Sequence, residues 1–526
     1  MAAIKVLDCT LRDGGYCNEW NFGADNIKTI ISGLTVSGVD IVECGFLTDR
    51  VSYDPEVSKY TSVEQVKPFL DVNRTNRQYV CMVNYGEYAA DALPVCDGTS
   101  LDGIRVAFHK KDMLPALELC RGIQEKGYKV FVQAMVSLSY SDEEYIDLIH
   151  RVNELKPEGF YIVDSFGEMK RKDLTRLFFL VEHNLDRDIA IGFHSHNNMQ
   201  LAYANAQALV DMRTEHELII DTSIFGMGRG AGNLNTELFV EYLNDNLGTR
   251  YSLKPLLTII DEILVGFYHQ NYWGYSLPNY LSAKHNTHPN YAKYLDGKET
   301  LTVEAMDELF SIMDEDKRVS FDKAYIEQLY TQYMSRNEVH PTRLNELKQR
   351  IKNRDVLLIA PGASSFDERE KIVRFAESSD AVIISINFDY TELSTDYIFV
   401  SNLRRFRELE TNKHAKCIVT SNIPAVDVYL QTKYADLLNG EDAVRDNAGM
   451  MLIRFLITLG AKKLYIAGMD GYSLDPMQNY ADRKMTFYTQ RAFMESKNDG
   501  MNAMLRKFAK EIEIEMVTTP RFLSVK

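Results

Sequence analysis

Two short stretches far apart in the sequence carry the residues best suited to chemistry. Arg12 and Asp13 follow the apolar run Ile4–Leu7, and the pair His194 and His196 ends another apolar run. Side chains two residues apart on a strand point the same way, so the two imidazoles are placed to bind one ion. A carboxylate and two imidazoles suit a catalytic divalent cation with open coordination positions. An ordinary glycine-containing turn is the alternative interpretation of the first stretch.

A cation in such a site predicts a particular reaction. Its open positions could chelate a 2-oxo acid, and as a Lewis acid it would lower the cost of removing a proton next to the carbonyl. Arg12 is placed to stabilise the negative charge that develops. We expect Glu43 to orient Arg12 or a metal-bound water. Mn or Mg is the expected ion, with Co or Zn as alternatives.

Eight short, apolar, β-branched runs recur over the first part of the chain, separated by segments with helical spacing. They are Ile4–Leu7, Asp40–Cys44, Tyr79–Val83, Gly103–Phe108, Lys129–Met135, Gly159–Val163, Ile189–Phe193 and Leu218–Ile224. Fully apolar strands are typical of a parallel sheet buried on both faces. Eight of them predict a closed (β/α)8 TIM barrel, and an open doubly wound sheet is the rival architecture.

Polar side chains stand at the ends of these runs, where a barrel gathers them at one mouth. An open sheet would instead spread them along an edge. Among them we expect Arg105, Gln133 and Asp164 to bind substrate.

A mostly helical segment follows the barrel, which we expect to occupy residues 1–240. It covers residues 241–353, and its clearest helical patterns are Leu256–Tyr268, Val303–Met313 and Asp322–Met334. Between the first two lies an aromatic-rich stretch that contains Tyr275. These aromatics either pack the extra helices onto the barrel or cover its mouth, with Tyr275 reaching the site as a catalytic residue.

A second alternation of strands and helices begins near residue 354 and predicts a separate Rossmann-like open α/β domain over residues 354–526. Its first strand, Asp355–Ala360, runs into Gly362, Ser364 and Ser365. Backbone N–H groups at such a turn could cradle a phosphate, although a plain glycine turn explains the same residues.

Composition limits the class of protein. A chain of 526 residues exceeds one hydrophobic core, and 45% hydrophobic with 25% charged residues is ordinary for a globular protein. A net charge of -16 argues against nucleic-acid and anionic-membrane partners. Seven scattered cysteines indicate free thiols. With no signal sequence in the pattern, we expect a cytoplasmic protein, and a homo-oligomer is left open.

Four motifs together resemble one superfamily. They are Leu11-Arg12-Asp13-Gly14-Gly15, Glu43 within Ile41-Val42-Glu43, His194-Ser195-His196-Asn197-Asn198, and Gly226-Met227-Gly228-Arg229-Gly230-Ala231-Gly232-Asn233. The region of about residues 4–300 is similar to the metal-dependent aldolases, lyases and acyltransferases that include 4-hydroxy-2-oxovalerate aldolase and hydroxymethylglutaryl-CoA lyase. The resemblance implies a (β/α)8 barrel, Asp13, His194 and His196 as metal ligands, Asn233 as a fourth, and Arg12 as the enolate-stabilising cation.

Within that superfamily the sequence most resembles the pyruvate-specific aldolases. The lyase branch uses a loop cysteine, and none lies between Ser223 and Asn233. The aldolases place a histidine three residues after the motif aspartate, where this chain has Tyr16. Tyr16, Tyr275 or a metal-bound water is then the expected acid or base. The second domain weakly resembles sialyltransferase-type and pterin-diphosphokinase-type domains.

The predicted function is a divalent-metal-dependent aldolase that joins a pyruvate enolate to an aldehyde, or cleaves the product. The aldehyde is expected to differ from acetaldehyde and could be linked to a sugar or nucleotide. Two alternatives stay open at this point. One is a Claisen condensation of acetyl-CoA with a 2-oxo acid, and the other is a glycosyl or phosphoryl transferase in the C-terminal domain.

Overall fold

The computed structural model describes residues 3–70, 77–339, 342–482, 485 and 491–524. The chain forms two compact units, the first of residues 1–293 with 318–320 and the second of residues 294–317 with 321–526. Each unit contains its own sheet. The three-part division with boundaries after residues 240 and 353 stays a prediction.

The sheet of the first unit is a closed parallel barrel. Its strands are β1 (Ile4–Asp8), β2 (Ile41–Leu47), β3 (Lys59–Tyr60), β4 (Gln78–Asn84), β5 (Gly103–Phe108), β6 (Lys129–Ala134), β7 (Gly159–Asp164), β8 (Ala190–Ser195) and β9 (Leu218–Thr222). All pair in parallel, and β1 pairs with both β9 and β2, which closes the ring. The predicted eight-stranded barrel is confirmed, and the open sheet is excluded.

The two-residue strand β3 is an addition that pairs with the end of β2. The pairing of β2 with β4 shifts register between Glu43 and Phe46, which indicates a β-bulge in β2. Gly45 lies in this bulge and has a φ of +143°. A Cβ atom on Gly45 would lie 2.1 Å from the carbonyl oxygen of Ser58. Only glycine therefore allows the β3 segment to approach β2 here.

Helices alternate with the barrel strands and continue after the last strand. The helices in chain order are α1 (Thr10–Asp13), α2 (Ala24–Ser37), α3 (Met113–Glu125), α4 (Asp142–Leu155), α5 (Arg171–Asn184), α6 (Ala202–Asp211), α7 (Thr236–Leu247), α8 (Leu253–Ile259), α9 (Val265–Gln270), α10 (Leu277–Lys284) and α11 (Pro289–Asp296). In α4, Ser141 and Glu144 form a capping box, and Tyr145, Leu148 and Val152 are buried at helical spacing.

The strands are buried on both faces, as their apolar sequences predict. One apolar cluster fills the inside of the barrel and includes Leu7, Ile41, Val80, Phe131 and Tyr161. Alternate strand residues belong to a larger cluster that packs beneath the helices. The inward positions nearer the carboxyl ends of the strands are polar, and they build the site described below.

The aromatic stretch after α9 packs on the barrel. The indole N–H of Trp273 donates to the backbone oxygen of Phe225 at 2.9 Å, and its ring meets those of Phe225 and Tyr268. Trp273 is buried, whereas Tyr275 is 57% exposed. The structure thus favours the packing interpretation of this stretch over the cover.

The second unit is an open, fully parallel sheet. Its strands are β10 (Asp355–Ile359), β11 (Val382–Ile386), β12 (Tyr397–Val400), β13 (Cys417–Thr420), β14 (Leu430–Thr432), β15 (Lys463–Ala467) and β16 (Glu513–Met516). The remaining helices are α12 (Val303–Ser311), α13 (Lys323–Met334), α14 (Leu344–Ile351), α15 (Ser364–Asp367), α16 (Arg369–Ser378), α17 (Leu403–Glu408), α18 (Ala448–Leu459) and α19 (Arg491–Phe508).

The strand order is β14-β13-β12-β11-β10-β15-β16. Strands β11 to β14 are added in chain order on one side of β10, and β15 and β16 are added on its other side. This is the arrangement of a doubly wound Rossmann-like sheet. All seven cysteines of the chain are free. Among the described residues, no helix has the length and apolar character that a membrane span requires.

Candidate functional site

The barrel brings three distant side chains together at its carboxyl end. Asp13 ends the short helix α1 directly after β1, His194 lies near the end of β8, and His196 follows that strand. Their carboxylate and imidazole ligand atoms all lie within 4.8 Å of one another. Each side chain is nearly fully buried, at 1%, 5% and 4% exposure for Asp13, His194 and His196. The geometry agrees with a metal-binding set.

The hydrogen bonding of the two imidazoles leaves ring nitrogens available for a metal ion. His194 Nδ1 lies 2.9 Å from the carboxylate of Asp221, which leaves Nε2 available. His196 Nδ1 has no hydrogen-bond partner among the described residues and is 3.8 Å from Asp13 Oδ2. Burial lowers the pKa of His196 to about 3, although the charge of Asp13 opposes this change. His196 is therefore neutral at pH 7, which is the form that binds a metal.

Asp13 is held as a carboxylate. Burial alone would raise its pKa, but the neighbouring His196 and Arg12 outweigh burial and hold the pKa well below its usual value. The Asn233 side-chain amide donates to Asp13 Oδ2 at 2.6 Å, and its Oδ1 is buried without a hydrogen-bond partner in the described part of the chain. An unsatisfied amide oxygen beside a carboxylate fits the predicted fourth ligand.

The glycine-rich loop leaves room for these ligands. Asn233 lies at its end and forms a β-bridge with His196. A Cβ atom on Gly228 would lie 2.1 Å from Asn233 Nδ2 and 2.6 Å from Asp13 Oδ2. The absence of a side chain at Gly228 is thus a condition for the arrangement of Asp13 and Asn233.

A chain of alternating charges connects Asp13 to His194 through the barrel interior. Arg12 contacts Asp13 Oδ1 at 2.6 Å and Glu43 Oε2 at 2.8 Å. Arg105 contacts the same Glu43 oxygen at 2.9 Å and forms an ion pair with Asp221, which holds His194. We call these six residues the charge chain. It fixes both ends of the candidate metal site.

Three predicted substrate-binding residues have different surroundings. Arg105 is fully buried between two carboxylates and above the Tyr161 ring, so its guanidinium is part of the charge chain. Both oxygens of Asp164 accept backbone N–H groups, from Glu168 and Met169, so Asp164 orders its own loop. These contacts give both side chains a structural role, and substrate binding by either one stays a prediction.

Gln133 keeps its predicted role as a candidate. Gln133 on β6 is the register partner of Ala107 on β5. Ala107 lies two residues beyond Arg105, so Gln133 is nearer than Arg105 to the mouth of the barrel. Its side chain is 2% exposed, and its Nε2 donor has no hydrogen-bond partner in the described residues. A buried, unsatisfied donor is a position where a substrate oxygen could bind.

The two tyrosines predicted as catalytic differ in position. Tyr16 follows Asp13 by three residues, and its ring contacts Trp20 and lies beneath the guanidinium of Arg229. Burial raises the pKa of Tyr16, while Arg229 opposes that rise. Tyr275 is 57% exposed, whereas the candidate ligands are buried. Tyr16 thus lies against Arg229 of the glycine-rich loop, and a catalytic role for Tyr275 stays a prediction.

Sequence reasoning assigned no role to Arg229 and His288. Arg229 belongs to the glycine-rich loop, and its charge acts on Asp13 and His196. Burial, together with Arg229 and His109, lowers the pKa of His288 to about 3. The position of Arg229 within a recognised motif was an available signal, whereas His288 comes from an added helical segment and had none.

The predicted phosphate loop of the second unit already holds an acid. The carboxylate of Asp470 accepts the backbone N–H of Ser364 at 2.7 Å, and Gly362 packs against Gly468 and Asp470. An anion at this turn would compete with a buried carboxylate. These contacts favour the plain-turn interpretation, and phosphate binding by Gly362, Ser364 and Ser365 stays a prediction.

A closed (β/α)8 barrel that gathers buried metal-ligand side chains at the carboxyl ends of its strands is the architecture of a barrel enzyme. Residues 3–261, just under half of the chain, match the family model described as HMGL-like. The chain is an enzyme of the lyase type.

Several curated proteins are similar to the same half of the chain. An oxaloacetate decarboxylase from Mycobacterium tuberculosis is 26% identical over 241 residues, which is 45% of this chain and 69% of the relative. A 4-hydroxy-2-oxovalerate aldolase from Geobacillus genomosp. 3 is 25% identical, covering 46% of this chain and 71% of the relative. One from Spirochaeta aurantia is 28% identical over 46% of this chain and 70% of its own length.

Proposed function

We propose that the chain is a divalent-metal-dependent aldolase that forms or cleaves a carbon–carbon bond between a pyruvate enolate and an aldehyde. The observation that carries this proposal is the buried set Asp13, His194 and His196, with all ligand atoms within 4.8 Å. Relatives named 4-hydroxy-2-oxovalerate aldolase support the reaction class.

Asp13, His194 and His196 would hold the ion, with the Asn233 amide oxygen as a fourth ligand. Mn or Mg suits a set that combines carboxylate, amide and imidazole. When bound, the ion would act as a Lewis acid that makes the methyl protons of pyruvate easier to remove.

Arg12 supplies a fixed positive charge beside this set. Glu43 and Asp13 hold its guanidinium, while its Nη2 is buried and has no hydrogen-bond partner among the described residues. A donor fixed in advance by its own salt bridges stabilises a developing enolate without further reorganisation. Arg12 is accordingly the residue that we propose to stabilise the enolate.

Tyr16 is the proposed proton donor to the aldehyde oxygen. Because burial raises the pKa of Tyr16, the phenol stays protonated at neutral pH. It can therefore give a proton to the alkoxide that forms when the enolate attacks a carbonyl. In the opposite direction the phenol would first have to lose its proton, which its raised pKa makes harder.

The test is deuterium exchange into the methyl group of pyruvate, followed by mass or NMR, with and without Mn or Mg. We expect metal-dependent exchange that is lost in Asp13→Asn. Asp8→Asn is the matched control, since Asp8 is an equally buried carboxylate at the end of β1 whose oxygens contact Thr236 and Thr10. Absence of exchange with any divalent ion contradicts the enolate mechanism.

Decarboxylation of oxaloacetate is a second candidate, because it passes through the same enolate. A relative named oxaloacetate decarboxylase is 26% identical to this half of the chain. Tyr16 in place of the aldolase histidine also favours it, since loss of CO2 requires no base for a substrate hydroxyl. Pyruvate release from oxaloacetate, measured beside the mass increase of aldehydes incubated with pyruvate, separates the two reactions.

A further inference from the structure

Arg229 extends from the glycine-rich loop between two other loops of the first unit. Its Nη2 donates to the backbone oxygen of Ser165, which follows β7, at 3.0 Å. Its guanidinium carbon lies 5.4 Å from the centre of the Tyr16 ring, in the loop that follows β1. Both loops leave the carboxyl ends of their strands, so Arg229 stands at the mouth of the barrel.

The charge of Arg229 is not matched by an acid. Arg12 and Arg105 each contact two carboxylates, at least one of them within 2.9 Å. In the described part of the chain, no ion pair involves Arg229, and its Nε is buried without a hydrogen-bond partner. A buried guanidinium N–H without an acceptor is costly, and an anionic oxygen is the acceptor that satisfies it best.

Arg229 acts electrostatically on one acid, Asp13, which Arg12 already pairs, and on the neighbouring histidines. Burial, then Lys111, lowers the pKa of His109, and Arg229 contributes in the same direction although Asp112 opposes it. Arg229 likewise adds to the effect of burial on His288. This contrasts with the net charge of -16 of the whole chain. The positive charge that an anion would meet at this mouth is therefore that of Arg229 itself.

Arg12 and Arg229 differ in burial, which suits them to different reactants. Arg12 is 5% exposed among the ligand set and carries its own unpartnered Nη2, which suits the pyruvate oxygens. Arg229 is only partly buried and covers Tyr16, which is 38% exposed. We therefore expect the second reactant to approach from this more exposed side, over Tyr16.

We propose that Arg229 binds an acidic group, a carboxylate or a phosphate, on the second reactant, so that the aldehyde is an anionic one. This inference rests on the proposed aldolase function and names the chemical class of its acceptor. Arg229 is then a specificity-determining residue for the acceptor, distinct from Arg12, which serves the enolate.

Matched aldehydes test this proposal on the unmodified protein with Mn and pyruvate. Succinic semialdehyde is compared with butanal, and glyceraldehyde 3-phosphate with glyceraldehyde, by kcat/KM for the addition product. A charge-assisted hydrogen bond in a buried site predicts about a 10-fold to 100-fold preference for the acidic member of at least one pair. The pair that shows the preference identifies the acid as carboxylate or phosphate. Equal rates, or a preference for both neutral aldehydes, overturn the proposal.

Variants assign the preference to the residue. In Arg229→Gln we expect the ratio of acidic to neutral kcat/KM to fall by about 10-fold to 100-fold, and Arg229→Lys to retain part of it. Arg187→Gln is the control, because Arg187 pairs with Glu182 and Glu215 at the surface and is 55% exposed. If the ratio in Arg229→Gln equals that of the control, Arg229 does not bind the acceptor.

The proposed function and this inference fail in different assays. Pyruvate methyl exchange requires no aldehyde, so its absence refutes enolate formation and overturns the acceptor proposal that rests on it. Normal exchange with no preference for acidic aldehydes refutes only the role of Arg229. If Arg229→Gln slows exchange as much as it slows addition to the acidic aldehyde, Arg229 serves pyruvate and the proposal is wrong.

Discussion

Asp221→Asn is the change that tests the charge chain most directly. The carboxylate of Asp221 contacts His194 Nδ1 at 2.9 Å and pairs with Arg105, yet it is not itself one of the candidate ligands. Three carboxylates and two guanidiniums leave the charge chain with one net negative charge, and the asparagine removes it. The site then attracts a divalent cation less, and His194 is a weaker ligand.

The size of the effect follows from known partners of metal-binding histidines. Removing such a partner weakens metal binding by about 10-fold to 100-fold, or about 1.4 to 2.7 kcal/mol. Arg105 also loses one of its two carboxylates, and breaking a buried pair costs about 3 to 5 kcal/mol. Because the amide keeps hydrogen-bonding atoms of the same shape, we expect the loss in metal-free stability to be at the lower end.

Titration calorimetry with Mn on metal-stripped protein measures the affinity, and urea unfolding measures the stability. Asp8→Asn is the matched control, since Asp8 and Asp221 lie on adjacent strands and are 0% and 2% exposed. Burial raises the pKa of Asp8 to about 6, so a neutral amide is a mild change there. The reasoning is refuted if both variants bind Mn within threefold of the unmodified protein.

Two further changes probe the same barrel. Gly228→Ala places a Cβ atom 2.1 Å from Asn233 Nδ2, so calorimetry should show Mn affinity at least about tenfold lower, whereas Gly266→Ala, with nothing within 4 Å, should bind Mn normally. Burial and the charge of Asp164 raise the pKa of Glu168 from 4.5 to about 8. Its contribution to stability is complete below pH 4.5 and is lost as the pH rises through 8, so the free energy of unfolding should decline across that window. Glu168→Gln should flatten the decline in urea titrations; an unchanged slope would contradict the assignment.

The sequence was sufficient to predict the barrel because the same strand pattern occurs eight times. Each barrel strand is a short apolar run followed by a polar end, and eight such runs with helical spacers leave few other architectures. The strand β14 gives almost no sequence signal, because Leu430–Thr432 has only three residues, with one apolar side chain at its start. The additional strand β3 is shorter still, at two residues.

The ligands were predictable because their spacing and their positions at strand ends are visible in the sequence. The partners of charged residues were not. Arg105 was assigned to substrate because its type suits a carboxylate, but the inward faces of β2 and β9 supply Glu43 and Asp221 as its partners. Likewise, Asp470 follows Gly362 by more than a hundred residues, and only the parallel pairing of β10 with β15 brings the two together.

The charge chain and the candidate ligands set an order on the biosynthesis of this protein. Asp13 and Asn233 are 220 positions apart, and β1 is held in the barrel by β9, which is its last strand. A ribosome-bound chain that has not yet exposed residues 218–233 contains Asp13 but lacks β9 and Asn233, so the candidate ligands cannot yet come together. Loading of the proposed ion would then be a late event in maturation, and acquisition of tightly bound metal would serve as a chemical marker that the barrel has closed.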